Sequence, residues 1–270
     1  MASSIGVAVA GKWLLDNLSL TLVPGELVIV LGPNGAGKST LLGCLSGARQ
    51  PTVGQVMLDG RSLAEFMPRA VACRRSVVAQ NNSSVMPIHA EEVVELGRFP
   101  HSDRLAYRRQ IVSEAMVMSD IGDFVGRTLP TLSGGEQQRT HFARALAQIW
   151  PNGEGTARYL LLDEPTASLD LEHQAELMGM ARALAHAGHG VLAILHDLNL
   201  AACTADRVLL LNAGKLAAEG KPADVLTARC IETVFRIRVD VLPRPDKAGP
   251  LIVPRVPELS QFNPSMTNDA

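Results

Sequence analysis

Gly32-Pro33-Asn34-Gly35-Ala36-Gly37-Lys38-Ser39 is the stretch that decides the fold of this 270-residue chain. It matches the phosphate-loop pattern, in which four residues separate a glycine from a Gly-Lys-Ser or Gly-Lys-Thr ending. The apolar run Leu27–Leu31 before it predicts a buried strand, and Ser39–Ser46 after it predicts a helix. A glycine-rich turn between strand and helix directs backbone N–H groups, and the positive end of the helix dipole, at a phosphate.

The loop supplies a cation and a metal ligand besides its backbone amides. Lys38 is expected to neutralise the β- and γ-phosphates of the ligand, and the Ser39 hydroxyl to ligate Mg²⁺. A glycine-rich turn of purely structural purpose would need neither side chain. The residues predicted to bind the phosphate-bearing ligand are Gly32, Pro33, Asn34, Gly35, Ala36, Gly37, Lys38, Ser39 and Thr40.

The remaining apolar runs predict an α/β fold around this loop. They are short, bounded by glycine, aspartate or asparagine, and spaced by helix-length segments: Tyr159–Leu162, Val191–Leu195 and Val208–Leu211. We therefore expect a P-loop NTPase core, with a mostly parallel sheet, flanking helices and an N-terminal antiparallel β portion. Between Pro87 and Trp150 the pattern is helical, for example at His89–Gly97 and Ile111–Ile121, which predicts an inserted helical subdomain.

These patterns predict the domain limits. The core is expected at residues 1–85 and 156–240, the helical subdomain at 86–155, and a partly mobile C-terminal extension at 241–270. The tail after Val253 contains three prolines and ends in a polar stretch, so we assign it no function.

Composition weighs against several other classes of protein. Hydrophobic residues make up 47% of the chain and charged residues 19%, as in ordinary globular proteins. A net charge of -2 offers no basic footprint for nucleic acid. The four cysteines have no metal-binding or disulfide spacing and are expected to be reduced thiols. The sequence shows no signal peptide and no apolar run of the roughly 18 residues that cross a bilayer, so attachment to a membrane is expected through another chain.

A second pair of candidate residues follows a predicted strand. Leu160-Leu161-Leu162 leads into Asp163 and Glu164, and ligands of open parallel sheets bind at the carboxyl ends of strands. Asp163 is expected to hold Mg²⁺ through water, and Glu164 to orient or deprotonate an attacking water. Without a phosphate loop nearby, the same pair would more often form a solvated turn.

The segment Leu132-Ser133-Gly134-Gly135-Glu136-Gln137 closely resembles the signature of the ATP-binding-cassette family. On physical grounds, Ser133, Gly134 and Gly135 form another anion-binding helix N-terminus, in a chain that already has its phosphate loop. The resemblance implies ATP and Mg²⁺ as ligands and a head-to-tail homodimer. In such a dimer each signature covers the γ-phosphate held by the other subunit.

The resemblance also gives meaning to two single residues. Gln80, after the strand-like Ser76–Ala79, matches the glutamine loop of the family, which reaches Mg²⁺ and the attacking water. His196, after Leu192–Leu195, matches the switch histidine that contacts the γ-phosphate. Alone, they would be a surface glutamine and a core histidine. The resemblance thus implies Glu164, His196 and Gln80 as catalytic residues, and Ser39, Gln80 and Asp163 as ligands of Mg²⁺.

Two further positions concern the dimer interface and the base. Ser168-Leu169-Asp170 matches the D-loop of the family, which runs along the dimer interface, and would otherwise be the N-cap of a helix beginning near Leu171. Val9 stands where the family usually has an aromatic residue stacked on adenine. Trp13 could substitute, although a packing role is the simpler interpretation.

Two segments resemble one branch of the family. Glu92–His101 (EVVELGRFPH) is similar to cassettes of iron-chelate and cobalamin importers, and Ala147–Leu162, with its loop Pro151–Thr156, is most similar to haem-import cassettes. This implies ATP-driven haem import through a separate transmembrane permease in two copies, fed by a periplasmic haem-binding protein. The chain would then be peripheral, at the cytoplasmic face of the bacterial inner membrane.

Other functions stay open at this point. Within the branch, ferric siderophores or cobalamin are alternative cargoes. A soluble ATPase of the same family acting on nucleic acid or ribosomes would normally show tandem cassettes, a long coiled-coil insertion or a basic patch. An exporter cassette is often fused to membrane helices. The chain shows none of these features in its sequence.

Overall fold

The computed structural model of the chain describes residues 1–80, 86–150, 156–167, 169–244 and 249–256. The strands are β1 (Ala2–Val9), β2 (Lys12–Leu20), β3 (Leu27–Leu31), β4 (Val53–Leu58), β5 (Arg61–Ser62), β6 (Arg75–Val78), β7 (Tyr159–Asp163), β8 (Gly190–Ile194), β9 (Arg207–Asn212), β10 (Lys215–Gly220), β11 (Val239–Pro243) and β12 (Pro250–Pro254). The α-helices are α1 (Lys38–Leu45), α2 (Pro68–Ala72), α3 (Ala90–Leu96), α4 (Leu105–Met118), α5 (Gly134–Gln148), α6 (Leu171–His186), α7 (Leu198–Thr204), α8 (Pro222–Val225) and α9 (Ala228–Phe235). Short 3₁₀ turns lie at Leu63–Glu65, Gly122–Phe124 and Leu129–Thr131.

The central sheet confirms the predicted α/β fold. Its strand order is β10-β9-β3-β8-β7-β6, and every pairing is parallel except that of β10 with β9. All five residues of β3 are buried, because both faces of the sheet are covered. Alternate residues face different cores: Val28 and Val30 pack in one hydrophobic cluster, and Leu27, Ile29 and Leu31 pack in the other.

One face of the central sheet carries α1 and the N-terminal antiparallel sheet, whose order is β2-β1-β4-β5. Ala10 and Gly11 connect β1 to β2 with positive φ angles of 48° and 78°, the signature of a two-residue type I′ turn. Buried side chains of this sheet, among them Ile5 and Leu15, join the cluster that contains Val28 and Val30. The predicted N-terminal antiparallel β portion is therefore present.

The helical insertion contains α3, α4 and α5, which pack on one another and on the other face of the sheet. The predicted helix Ile111–Ile121 begins earlier in the structure and ends at Met118. It ends there because Asp120 adopts a left-handed φ of 52°, and the N–H of Ile121 returns to the carbonyl of Met116. No helix among the described residues is long and apolar enough to cross a bilayer.

The segment after α3 is tied to the carboxyl end of α5. Arg98 is fully buried; its Nη1 donates to the carbonyl of Ala147 at 2.6 Å, and its Nη2 lies 2.7 Å from Oδ2 of Asp103. The ring nitrogen Nε2 of His101 lies 2.8 Å from the carbonyl of Gln148. The arginine and histidine of the GRFPH motif therefore hold the insertion together.

Gln148 extends this junction to the sheet. Its side-chain oxygen accepts from the Ser76 hydroxyl at 3.0 Å, and its amide nitrogen donates to the carbonyl of Ala72 at 2.9 Å. One turn earlier, Nη2 of Arg144 donates to the carbonyl of Val77 at 3.0 Å. The helix that begins at the signature thus ends against β6, the strand that leads to Gln80.

The C-terminal extension forms more structure than expected. Strands β11 and β12 pair as an antiparallel hairpin, with Val239 and Ile252 buried against the helices. The boundary placed after residue 240 cuts through β11, because these apolar side chains belong to the main core. Mobility was predicted for the tail after Val253, and residues 257–270 of that tail lie outside the described residues, as do residues 151–155 of the loop.

We expect the buried ion pair of Arg98 to dominate the stability of the insertion. Arg98→Met leaves the largely buried Asp103 without its guanidinium partner, so the free energy of unfolding should fall by about 3–5 kcal/mol. The matched control is Arg61→Met, which removes the exposed pair with Glu65 and should cost less than about 1 kcal/mol. Urea unfolding of both variants and the parent is the measurement, and equal effects of the two substitutions would contradict the assignment.

Candidate functional site

The phosphate loop is confined between two strands and α1, where only glycine fits. Gly37, at the N-cap of α1, has a left-handed φ of 101°, and a Cβ added there would lie 2.6 Å from the carbonyl oxygen of Leu14. A Cβ added to Gly32 would lie 2.4 Å from the carbonyl oxygen of Leu211. The loop backbone therefore packs against its neighbours more closely than any side chain permits, which preorganises its amides.

Lys38 is buried and bound to the loop itself. Its Nζ donates to the carbonyls of Gly32 at 2.8 Å and Pro33 at 3.2 Å. Burial lowers the pKa of Lys38, and the neighbouring carboxylates of Glu164 and Asp163 oppose that shift. The ammonium group is therefore held at the loop with two carboxylates near it. An anionic ligand bound at the loop would interact with this positive charge.

An open cavity of about 350 Å³ lies beside the loop. Its lining residues are Leu14, Asn34, Gly35, Gly37, Lys38, Ser39, Thr40 and Glu164. Ala36 is buried beneath the loop, where its N–H donates to the carbonyl of Pro33. The structure thus brings most of the predicted phosphate-binding residues and Glu164 to one cavity. Gly32, Pro33 and Ala36 do not line this cavity and instead contribute to the conformation of the loop.

Asp163 has the environment of a metal ligand. Its Oδ1 is buried and has no hydrogen-bond partner among the described residues. Burial and then the charge of Glu164 raise the pKa of Asp163, while Lys38 and His196 act in the opposite sense. A carboxylate oxygen left unpaired, together with the Ser39 hydroxyl, fits Mg²⁺, which prefers oxygen ligands.

The protein alone does not form a closed cage for a metal. Within the described ranges, no group of three or more His, Cys, Asp or Glu residues is arranged to hold one. Mg²⁺ typically keeps several waters and is bound by one or two protein groups together with substrate phosphates. The few oxygen ligands at the cavity suit that mode of binding.

The Glu164 carboxylate is hydrogen-bonded to Gln80 and His196, the two residues that only the family resemblance indicated. Nε2 of Gln80 donates to its Oε2 at 2.5 Å, and Nε2 of His196 lies 2.5 Å from its Oε1. Gln80, Glu164 and His196 each follow the end of one of the adjacent parallel strands β6, β7 and β8. With only 15% of its side chain exposed, the carboxylate is fixed in orientation as a proton acceptor would need to be.

The signature segment lies at the start of α5. The Ser133 side chain accepts from the N–H of Glu136 at 3.3 Å, and Oε2 of Glu136 accepts from the N–H of Ser133 at 2.7 Å, which is a capping box. The backbone bond from Ser133 lowers the pKa of Glu136. Ser133, Gly134 and Gly135 are not among the residues that line the cavity, so the chain does not bring its own signature to its own loop.

The two candidates for the base platform lie apart from the cavity lining. Trp13 packs on β1: its Cζ3 is 2.8 Å from where a Cβ on Gly6 would stand, and Val53 approaches the same point. Val9 and Trp13 are both about half-exposed. Trp13 therefore has the packing role that its sequence position suggested, whereas Leu14, which no motif identified, lines the cavity. Only the register of the β1–β2 hairpin could have pointed to Leu14.

The predicted D-loop is described in part. Ser168 lies outside the described residues. Asp170 is the N-cap of α6 and accepts from the N–H of His173 at 3.0 Å, as its position before Leu171 predicted. Leu169 is buried, with Cδ2 3.2 Å from where a Cβ on Gly135 would stand. The D-loop and the signature are therefore neighbours within one chain.

Comparisons with known proteins agree with this geometry. A family model described as ABC transporter matches residues 15–167. The hemin import ATP-binding protein HmuV of Gloeobacter violaceus is 49% identical over 94% of this chain and 93% of its own length.

Solved structures share the fold. An inward-facing metal-chelate type ABC transporter is similar with a TM-score of 0.79 and 25% identity, over 94% of this chain and 96% of that one. A dimeric post-hydrolysis state of an ATP-binding cassette, bound to ADP and Pi, has a TM-score of 0.71 and 27% identity, over 82% and 97% of the two chains.

The buried and unpaired Oδ1 of the Asp163 carboxylate should weaken the ligand-free fold. Because the pKa of Asp163 is raised in the folded chain, its ionised form costs stability above that pKa, and the cost disappears as pH falls through it. Asp163→Asn should therefore be more stable than the parent near pH 7, and the difference should shrink on acidification. Urea unfolding over a pH series measures it, with the exposed substitution Glu65→Gln as control. A variant less stable than the parent at every pH would contradict this.

Proposed function

This chain belongs to the ABC transporter family and is an ATP-hydrolysing subunit, and we propose that it powers haem import through a separate permease. The observation that carries the catalytic part is the carboxylate of Glu164, held at 2.5 Å by both Gln80 and His196 at the phosphate-loop cavity. The cargo is inferred from the relative named as a hemin import ATP-binding protein.

ATP binding uses the preorganised loop. The loop amides and the Lys38 ammonium neutralise the β- and γ-phosphates, so that Lys38 exchanges its bonds with the Gly32 and Pro33 carbonyls for phosphate oxygens. Ser39, Asp163 and Gln80 would hold Mg²⁺, which when bound supplies positive charge to the phosphate oxygens. The orphaned Oδ1 of Asp163 thereby gains a partner.

Hydrolysis needs a positioned water and a proton acceptor. Glu164 accepts a proton from the attacking water while the water oxygen bonds to the γ-phosphorus. The bond between that phosphorus and the oxygen that leaves with ADP breaks. In this proposal His196 contacts the γ-phosphate and Gln80 orients the water; their hydrogen bonds to different oxygens of the Glu164 carboxylate support both roles. The products are ADP and phosphate.

A second copy of the chain completes the site. The signature does not line the cavity of its own chain, yet its helix N-terminus is suited to an anion. Head-to-tail pairing would place Ser133, Gly134 and Gly135 over the γ-phosphate held by the partner. ABC cassettes dimerise, as in the ADP-bound structure above.

We place the permease docking surface on the segment from Gln80 to His101, of which residues 81–85 lie outside the described residues. Phe99 is 87% exposed, and Met86 and Leu96 are also largely exposed. The backbone on both sides of Phe99 is locked by the buried Arg98 and by His101, so an apolar anchor stands on a rigid base, as binding hot spots require. Two permease subunits, a periplasmic haem-binding protein and a position at the cytoplasmic face of the inner membrane complete the proposal.

The role of Glu164 predicts that binding and hydrolysis separate. In Glu164→Gln the amide keeps the shape of the side chain but cannot take the proton, so turnover should fall by roughly 10²–10⁴-fold. ATP should still bind, because Lys38 and Ser39 are unchanged, and the variant should accumulate as an ATP-bound dimer. ATPase rates and sedimentation with and without Mg-ATP are the measurements.

Lys38→Ala is the matched comparison for Glu164→Gln. It removes the principal phosphate partner, so nucleotide and dimer should be lost together. A Glu164→Gln chain that turns over at the rate of the parent, or that fails to retain ATP, would overturn the role given to this carboxylate.

The cargo is tested in the intact transporter. In cells that depend on this chain and its permease, haem as sole iron source should support growth, and Lys38→Ala should abolish it. Ferric siderophore and cobalamin uptake are measured in parallel. Uptake of either, without haem uptake, would refute haem as cargo and leave the ATPase assignment intact.

A further inference from the structure

The side chain of Asn199, on α7, bonds to the backbone of the C-terminal hairpin. Oδ1 of Asn199 accepts from the N–H of Ile252 at 2.8 Å, and its Nδ2 donates to the carbonyl of the same residue at 3.0 Å. Ile252 itself is only 2% exposed and joins the main hydrophobic core. The amide thus pairs with the main chain of β12 as a neighbouring strand would.

Two further contacts lie along the same helix. A Cβ added to Gly249 would lie 2.2 Å from the carbonyl oxygen of Ala202, so the hairpin backbone rests directly on α7. Nη1 of Arg244 donates to Sγ of Cys203 at 2.6 Å. The hairpin therefore holds α7 at three positions along its length.

The helix held in this way, α7, begins two residues after His196. Asp197 is the N-cap of α7, and its Oδ1 accepts from the N–H of Asn199 at 2.7 Å and from that of Leu200 at 3.0 Å. On the other side, the N–H of Leu195 donates to the carbonyl of Val30 at 3.2 Å. The backbone of His196 thus lies between a strand bond and a capped helix.

The imidazole has little packing of its own to define its position. Its side chain is 47% exposed, although its Nε2 must lie within hydrogen-bond distance of Glu164. An exposed ring of this kind is positioned mainly through the backbone that bears it. Any shift of α7 would be carried to the ring, because only Asp197 separates His196 from the helix.

We propose that Asn199 is a positioning residue for hydrolysis, which joins the C-terminal hairpin to α7 and so fixes His196 against Glu164. The inference rests on the proposed contact of His196 with the γ-phosphate. The proposal gives the hairpin a role in hydrolysis. The hairpin is not part of any of the family signature motifs, since all of those motifs lie before Leu198.

The test compares kcat and KM for ATP in Asn199→Ala. Because the phosphate loop supplies most of the contacts that hold ATP, kcat should fall between about 5- and 100-fold, the scale of a small misplacement of a catalytic group, while KM changes less than about twofold. In a His196→Ala background, Asn199→Ala should cause no further loss of kcat. A general loss of structure would instead lower activity in both backgrounds.

The matched control is Asp240→Ala, which removes the exposed Asp240–Arg255 pair of the same hairpin and should leave kcat unchanged. If Asn199→Ala does not fold, Gly249→Ala replaces it, since the added methyl group displaces the hairpin from Ala202. Parent kcat in the variant that folds, or losses that multiply with His196→Ala, would overturn the proposal. Parent kcat in His196→Ala alone would instead refute the role proposed for His196.

Discussion

The parallel pairing of β6, β7 and β8 is the constraint on which the rest of the structure depends. Parallel strands end at the same edge of a sheet, so Gln80, Glu164 and His196, distant in sequence, meet at one carboxylate. The apolar cores on both faces stabilise this pairing, because β8 is buried throughout and β7 is buried at its three leucines. The catalytic geometry is therefore a product of the hydrophobic core.

Besides its apolar packing, the helical insertion is joined to β6 by polar contacts. Gln148 and Arg144 bind the carboxyl end of the signature helix to β6, and Arg98 binds the exposed Phe99 segment to the same helix end. Buried hydrogen bonds of this kind have narrow geometry and are costly to leave unmade. A force at the proposed permease surface would therefore reach both the signature and Gln80 through one junction.

The site carries an electrostatic cost before any ligand arrives. Burial lowers the pKa of Lys38 and raises that of Asp163, so each charged form is disfavoured by the fold. The negative charge of the phosphates compensates the buried positive charge of Lys38, and the positive charge of Mg²⁺ compensates the buried negative charge of Asp163. The same burial that weakens the empty site strengthens its interactions with Mg-ATP, because charges attract more strongly away from water.

The sequence by itself determined the elements and the loop, since local patterns encode them. Leu27–Leu31 is continuously apolar because it is buried on both faces, and the glycines before Lys38 are needed where no Cβ fits. The strand and helix around the loop were thus predictable to within a residue, and the resemblance indicated Gln80 and His196. Only the tertiary structure decided what depends on long-range packing: the hydrogen bonds of Gln80 and His196 to Glu164, the unpaired Oδ1 of Asp163, and the bonding of Asn199 to a hairpin more than fifty residues away. No local pattern encodes such contacts, because each joins chain segments that meet only after the sheet has formed.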